Sequence, residues 1–289
     1  MEFNILETID SLVVAVIYLV VSFALFFIGK IIYQLIHRSI NVDDELVEKD
    51  NLAFSFANVG YYIGLVLVIL GVYSGDGISH ITEDLIDVAV YGLLSIILLN
   101  LSVIISDKLI LRKFSLKKEI IEDQNAGAGI IEGSFCVANG LILYGVMSGN
   151  EDSFIEIMIL WAIAQVVFML VGFVYNLITP YNVLKHIEKD NVAVGIGFSG
   201  AVIAIANLVR FGIQMEADNW ILVGENLLLE TGIGLLMLPI VRFLTDKILL
   251  PKRKLTDEIV NQEKPNIGAA VIEAFAYIGG SLLICASFS

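Results

Sequence analysis

Basic side chains are scarce in this sequence: 17 Lys and Arg stand against 31 Asp and Glu, a formal net charge of −14. A chain this acidic is repelled by phosphate backbones, which argues against nucleic acid as a partner. Charge of either sign is also sparse, at 17% of residues, against about 25% in ordinary soluble domains. With 57% apolar residues, disorder is excluded too, because it requires low hydrophobicity. The two cysteines, Cys136 and Cys285, rule out a disulfide framework and a Cys-rich zinc module. The three histidines, His37, His80 and His186, fall in polar connections without metal-ligand spacing. No serine–histidine, metal or phosphate-cradling pattern points to catalysis, so neither an enzyme nor a cofactor is expected. The N-terminal stretch is acidic where a cleavable signal would be basic, so its first apolar run reads as a retained anchor.

What the chain has instead is long apolar runs. A hydrocarbon core about 30 Å thick needs roughly 20 apolar residues of helix. Eight stretches qualify: 11–36, 52–74, 84–106, 127–149, 154–178, 192–214, 220–245 and 266–287. Continuous runs of this length do not fit the alternating strands of a barrel. The expected fold class is all-α, a polytopic membrane protein in contact with the lipid bilayer. The second, fourth, sixth and eighth runs are rich in glycine and alanine, which allow close helix approach in membranes.

Basic residues set the orientation. Fourteen of the seventeen lie in connections 37–51, 107–126, 179–191 and 246–265; the others, Lys30, Arg210 and Arg242, lie within the runs. Both termini are therefore expected outside and the four longer connections in the cytoplasm. The outer side carries acidic residues such as Glu2, Asp76, Glu151 and Asp218. They keep its loops soluble; attraction of cations to a pore mouth is the sharper reading.

The sequence repeats itself. Glu48-Lys49-Asp50-Asn51 recurs as Glu188-Lys189-Asp190-Asn191, and Tyr33-Gln34-Leu35-Ile36 as Tyr175-Asn176-Leu177-Ile178. Asp107-Lys108 matches Asp246-Lys247, and Asn125-x-Gly127-Ala128-x-x-Ile131-Glu132 matches Asn266-x-Gly268-Ala269-x-x-Ile272-Glu273. Two units follow, 1–150 and 151–289, each of four spans. An even number of spans gives both copies one orientation, so a pseudo-two-fold axis along the membrane normal is expected.

These blocks carry a family resemblance. Tyr175-Asn176-Leu177-Ile178-Thr179-Pro180, Asn191-x-Ala193, Phe198-Ser199-Gly200, Arg242 and Gly279-Gly280 with Cys285 resemble the YjfL-type bacterial inner-membrane proteins, a family known as domain of unknown function 350. The resemblance covers both halves, the second more fully; the first has His37-Arg38 where Thr-Pro would stand. It implies a bacterial inner-membrane location. It also implies an association with phage-shock-like membrane-maintenance proteins in the cytosol. A homo-oligomer is a further candidate association.

Ionisable residues inside a span are costly unless paired, neutralised or hydrated, and default to functional candidates. Glu132 and Glu273 occupy equivalent places about two turns from the cytoplasmic end, among small residues. They are candidate proton- or cation-binding groups; a structural interhelical hydrogen bond is the plainer role. Glu230, nearer the midplane, is the next candidate. Arg210 and Glu225 lie at matched depth on either side of a short loop and are expected to form a structural ion pair. Asn58, Ser55, Asn100, Ser102 and Gln165 are expected to supply interhelical hydrogen bonds, and Tyr33, Tyr175, Trp161 and Trp220 to anchor at the interface. The stretch from Lys108 to Ile121 reads as an amphipathic helix along the inner leaflet. Proton- or cation-coupled transport through the intramembrane carboxylates is the first functional reading. Recruitment of a cytosolic partner to the basic loops is the alternative.

Overall fold

The computed structural model describes residues 5–74, 81–109, 117–149, 153–215, 219–249 and 253–288, with the side chains of 5–11, 81–84, 171, 172, 176 and 178 outside that description. The acidic outer residues named above, and residues 110–116 of the expected 108–121 amphipathic helix, lie outside the described residues. Eight long helices fall where the apolar runs place them: α1 (Ile5–Ile36), α2 (Leu52–Tyr73), α3 (Ile81–Leu109), α4 (Ala126–Met147), α5 (Phe154–Ile178), α7 (Val192–Gln214), α8 (Trp220–Leu244) and α10 (Ile267–Phe288). All eight are long and apolar enough to cross a membrane. Two short helices, α6 (Val183–Ile187) and α9 (Leu255–Ile259), and π-helical turns at Asp44–Glu48, Lys118–Glu122 and Thr245–Leu249 sit in the basic connections. Among the described residues there is no strand.

The glycine-rich helices form a row. α2 packs on α4, α4 on α7, and α7 on α10, more extensively than any other pairs, with α1, α3, α5 and α8 outside it. Small residues set the spacing. A Cβ at Gly60 would fall onto the Gly133 backbone, and one at Gly195 would lie 2.8 Å from the Gly127 carbonyl. Backbones this close gain dispersion and shed lipid without any large side chain between them.

Each helix of the row starts on an asparagine. Asn51, Asn125, Asn191 and Asn266 accept through Oδ1 from Phe54, Ala128, Val194 and Ala269 backbone N–H, which satisfies one of the donors left open at a helix start. Before the first three stand Asp50, Gln124 and Asp190, all with positive φ. Before the fourth stands Pro265, whose ring fixes φ near −65°, so the chain reaches that cap by a different path.

The copies are not related by the expected two-fold. Such an axis would pair like helices, or return α10 to α2. Instead the fourth span of copy one, α4, meets the second span of copy two, α7, and α10 lies at the far end of the row from α2. The relation is a sideways step, a heterologous contact.

Candidate functional site

Glu132 and Glu273 stand seven residues beyond the caps Asn125 and Asn266, at the same height in α4 and α10. Their surroundings differ. In copy one, the Glu132 carboxyl lies beside that of Asp107 on α3. Two negative charges placed this close would repel, which favours one proton shared by the pair. Asp107 Oδ1 and Glu132 Oε2 are buried without a hydrogen-bond partner among the described residues. In copy two, Glu273 is fully buried. Its Oε1 accepts from Arg242 Nη1 at 2.9 Å and from the Tyr277 hydroxyl at 3.3 Å. Arg242 Nη2 donates to Thr256 Oγ1 at 3.0 Å, and the guanidinium lies 5.4 Å from the centre of the Tyr181 ring. Tyr181 sits between α5 and α6 and is pushed up to about 12 by burial and by the nearby Glu273 charge, so it stays a neutral phenol beside the pair.

The repeat alignment explains the difference. Asp107 corresponds to Asp246, Cys136 to Tyr277 and Val103 to Arg242. Only copy two carries the arginine. There Asp246 is drawn away, its Oδ1 accepting from the Leu255 backbone N–H at the start of α9 at 2.6 Å. A cavity of about 230 Å³ opens beside the pair, lined by Tyr175, Thr179, Pro239, Arg242, Asp246 and Tyr277 among others. Pro239 has no N–H to give the carbonyl four residues back, which loosens α8 there.

Glu230 is fully buried in α8, and neither carboxyl oxygen has a hydrogen-bond partner among the described residues. It faces α7 at Gly212, where a Cβ would stand 3.2 Å from the Glu230 Cβ. The expected Arg210–Glu225 ion pair is not formed among the described residues. Arg210 donates through Nε to Asn207 Oδ1 at 3.1 Å and through Nη1 to Gln214 Oε1, and its guanidinium lies over Tyr144. Asn207 and Gln214 share its helix face at positions three before and four after, so the guanidinium is satisfied within α7 while Glu225 is exposed.

These groups belong to two polar clusters along copy two. Gln214 donates to Ser148 Oγ and accepts from Arg210. Arg210 bonds Asn207, and Asn207 donates to Ser281 Oγ at 3.2 Å. One helical turn before Ser281 stands Tyr277, then Glu273, Arg242 and Thr256. Of the expected interhelical bonds, Asn100 reaches the Tyr61 hydroxyl, Ser102 accepts from Trp161 and Gln165 donates to Asn139. Ser55 bonds within its own helix at the Asn51 carbonyl, and the Asn58 Oδ1 is buried without a partner among the described residues. Trp161 and Tyr175 are buried rather than interfacial: each is enclosed by neighbouring helices, with the Trp161 indole committed to Ser102.

Asp107, Tyr277, Tyr181 and Thr256 were not foreseen as site residues. The Asp107–Asp246 equivalence carried the signal, but both aspartates stand at the edge of a polar connection, where a carboxylate is ordinarily solvated.

Together the eight apolar helices, the tandem units and the intramembrane carboxyls define a polytopic helical membrane protein built by duplication. The family model described as Domain of Unknown Function (DUF350) matches residues 7–147 and again 150–288, so the chain belongs to that family, in two tandem copies. It is similar to the UPF0719 transmembrane protein of Aquifex aeolicus, 23% identical over 202 residues, 69% of this chain and 72% of that one. It is also similar to the UPF0719 transmembrane protein YshE of Bacillus subtilis, 27% identical over 114 residues, 39% of this chain and 81% of that one. No solved structure matches the chain.

Proposed function

We propose that this protein carries protons across a bacterial plasma membrane, alone or coupled to a small solute, through its intramembrane carboxyls. The observation that carries the reading is the pair of polar clusters in copy two, Gln214–Arg210–Asn207–Ser281 and, one turn of α10 away, Tyr277–Glu273–Arg242 beside a cavity. A proton is favoured over a metal cation because Arg242 already neutralises Glu273, and a second cation would meet its charge. Protonating Glu273 releases the guanidinium toward the cavity, where an anion or water can meet it; deprotonation restores the pair. Copy one, with Val103 in place of the arginine, stores a proton between Asp107 and Glu132. Glu230 serves as an intermediate station near the midplane.

The distribution of basic residues favours termini outside and the longer connections in the cytoplasm. On this reading the protein performs no catalysis. The test is proton movement in proteoliposomes under an imposed pH gradient. Wild type should dissipate the gradient faster than empty vesicles, and Glu132→Gln with Glu273→Gln should abolish the excess. Equal rates in wild type, double variant and empty vesicles, with or without candidate solutes, would remove the reading.

A further inference from the structure

The row α2–α4–α7–α10 is open at both ends, and its two ends are repeat counterparts of the two faces that meet in its middle. At the α4–α7 contact Gly127 faces Gly195, Ser199 Oγ donates to the Ile130 carbonyl at 3.3 Å, and Gly145 meets Arg210. The counterparts of Gly127 and Ile130 on α10 are Gly268 and Val271; those of Gly195, Ser199 and Arg210 on α2 are Ser55, Val59 and Leu70. Gly268, Val271, Val59 and Leu70 are exposed.

An apolar face on such a protein is satisfied by lipid, so exposure alone decides nothing. The polar rung beside it does. Asn51 Nδ2 donates to the Ile120 carbonyl at 2.9 Å, Asn125 Nδ2 to the Ile187 carbonyl at 2.6 Å, and Asn191 Nδ2 to the Ile259 carbonyl at 3.0 Å. Each helix cap thus reaches forward to the turn that precedes the next helix of the row. Asn51 and Asn125 also donate to Glu45 and Glu119 of their own turns. Asn266 repeats that own-turn bond, to Glu258 Oε2 at 2.9 Å. Its forward bond has no acceptor among the described residues. Asn51, Asn125 and Asn191 are buried, whereas Asn266 is exposed. At the other end, Leu46 follows Glu45 as Ile120 follows Glu119, and among the described residues no side chain donates to its carbonyl.

We propose that a second copy of this chain docks head to tail, α10 of one on α2 of the next, with Asn266 donating to the Leu46 carbonyl across the junction. The contact continues the interface already present inside the chain, with the same elements in the same order. A repeated heterologous step closes a ring or extends a file according to its rotation. A relative with most of its length matched by 114 residues, about one repeat, fits the same logic, in which separate chains supply successive units.

Oxidative cross-linking in membranes tests this. Val59→Cys and Val271→Cys are placed on separately tagged chains and co-expressed; Ile130→Cys with Ser199→Cys in one chain is the positive control, since that intrachain contact is built. The Val59–Val271 combination should give cross-linked dimers well above either position with itself. Asn266→Ala should lower that yield by a factor of about 2 to 10, the worth of one hydrogen bond. Comparable yields from like-with-like pairs, products joined only to other proteins, or no product while the intrachain control closes would each overturn the proposal.

Discussion

Arg242 Nη1 lies 2.9 Å from Glu273 Oε1, and the residue in the place of Arg242 in the first copy is Val103. The same carboxyl position is thus held by a guanidinium in one unit and by a second carboxyl, Asp107, in the other. Removing one member of a buried pair leaves the other charge uncompensated, at a cost of about 3–5 kcal/mol. Arg242→Met should lower stability by that order, read from thermal unfolding in detergent. Arg242→Met with Glu273→Gln should recover most of it. Equal losses in single and double variants would mean that the pair does not act as a unit.

The buried carboxylate also constrains the helix facing it. A Cβ at Gly197 of α7 would collide with Glu273 Oε2, whereas one at Gly224 of α8 meets nothing within 4 Å among the described residues. Gly197→Ala should therefore destabilise by about 1–3 kcal/mol through overpacking. Gly224→Ala should be neutral or stabilise by up to about 1 kcal/mol through helix propensity. Thermal unfolding of the two variants side by side gives the comparison, and a tolerant Gly197→Ala would place the Glu273 side chain elsewhere.

On the basic side, Glu45 accepts from Lys49 Nζ and Asn51 Nδ2. Burial pushes its carboxyl up, but the hydrogen bonds from Lys49 and Asn51 and the Lys49 charge outweigh this and hold it below the usual glutamate value of 4.5. A carboxyl lowered in the folded state contributes stability above its unfolded value, lost as pH falls through the folded one. Wild type should lose stability below about pH 4.5 more steeply than Glu45→Gln. Parallel acid-unfolding curves for the two would contradict this.

Eight spans were legible because twenty-residue apolar runs have no other use for a chain, and their observed ends differ from the runs by a few residues, most at α1 and α3. The short α6 and α9 were not legible. Five residues carry no periodicity, and their helicity comes from burying Val183, Leu184 and Ile187, and Leu255 and Ile259, against the row. The duplication could be read from blocks such as Asn125–Glu132, but not the step relating the copies, because two equivalent halves fit a two-fold or a file equally well. Glu132, Glu273 and Glu230 stood out as ionisable residues at membrane depth. Their partners did not, since Arg242, Asp107 and Tyr277 meet them only through packing of helices distant in sequence, and depth matching alone pointed Arg210 at Glu225.

Proton storage by the intramembrane carboxyls is tested most directly at Asp107 and Glu132. Infrared spectra of the protein in lipid at neutral pH read the C=O stretch of a protonated carboxyl. A component of that band should shift or disappear in Asp107→Asn and in Glu132→Gln and stay unchanged in Glu273→Gln. A wild-type spectrum without the band, or one unchanged in both Asp107→Asn and Glu132→Gln, would contradict the account.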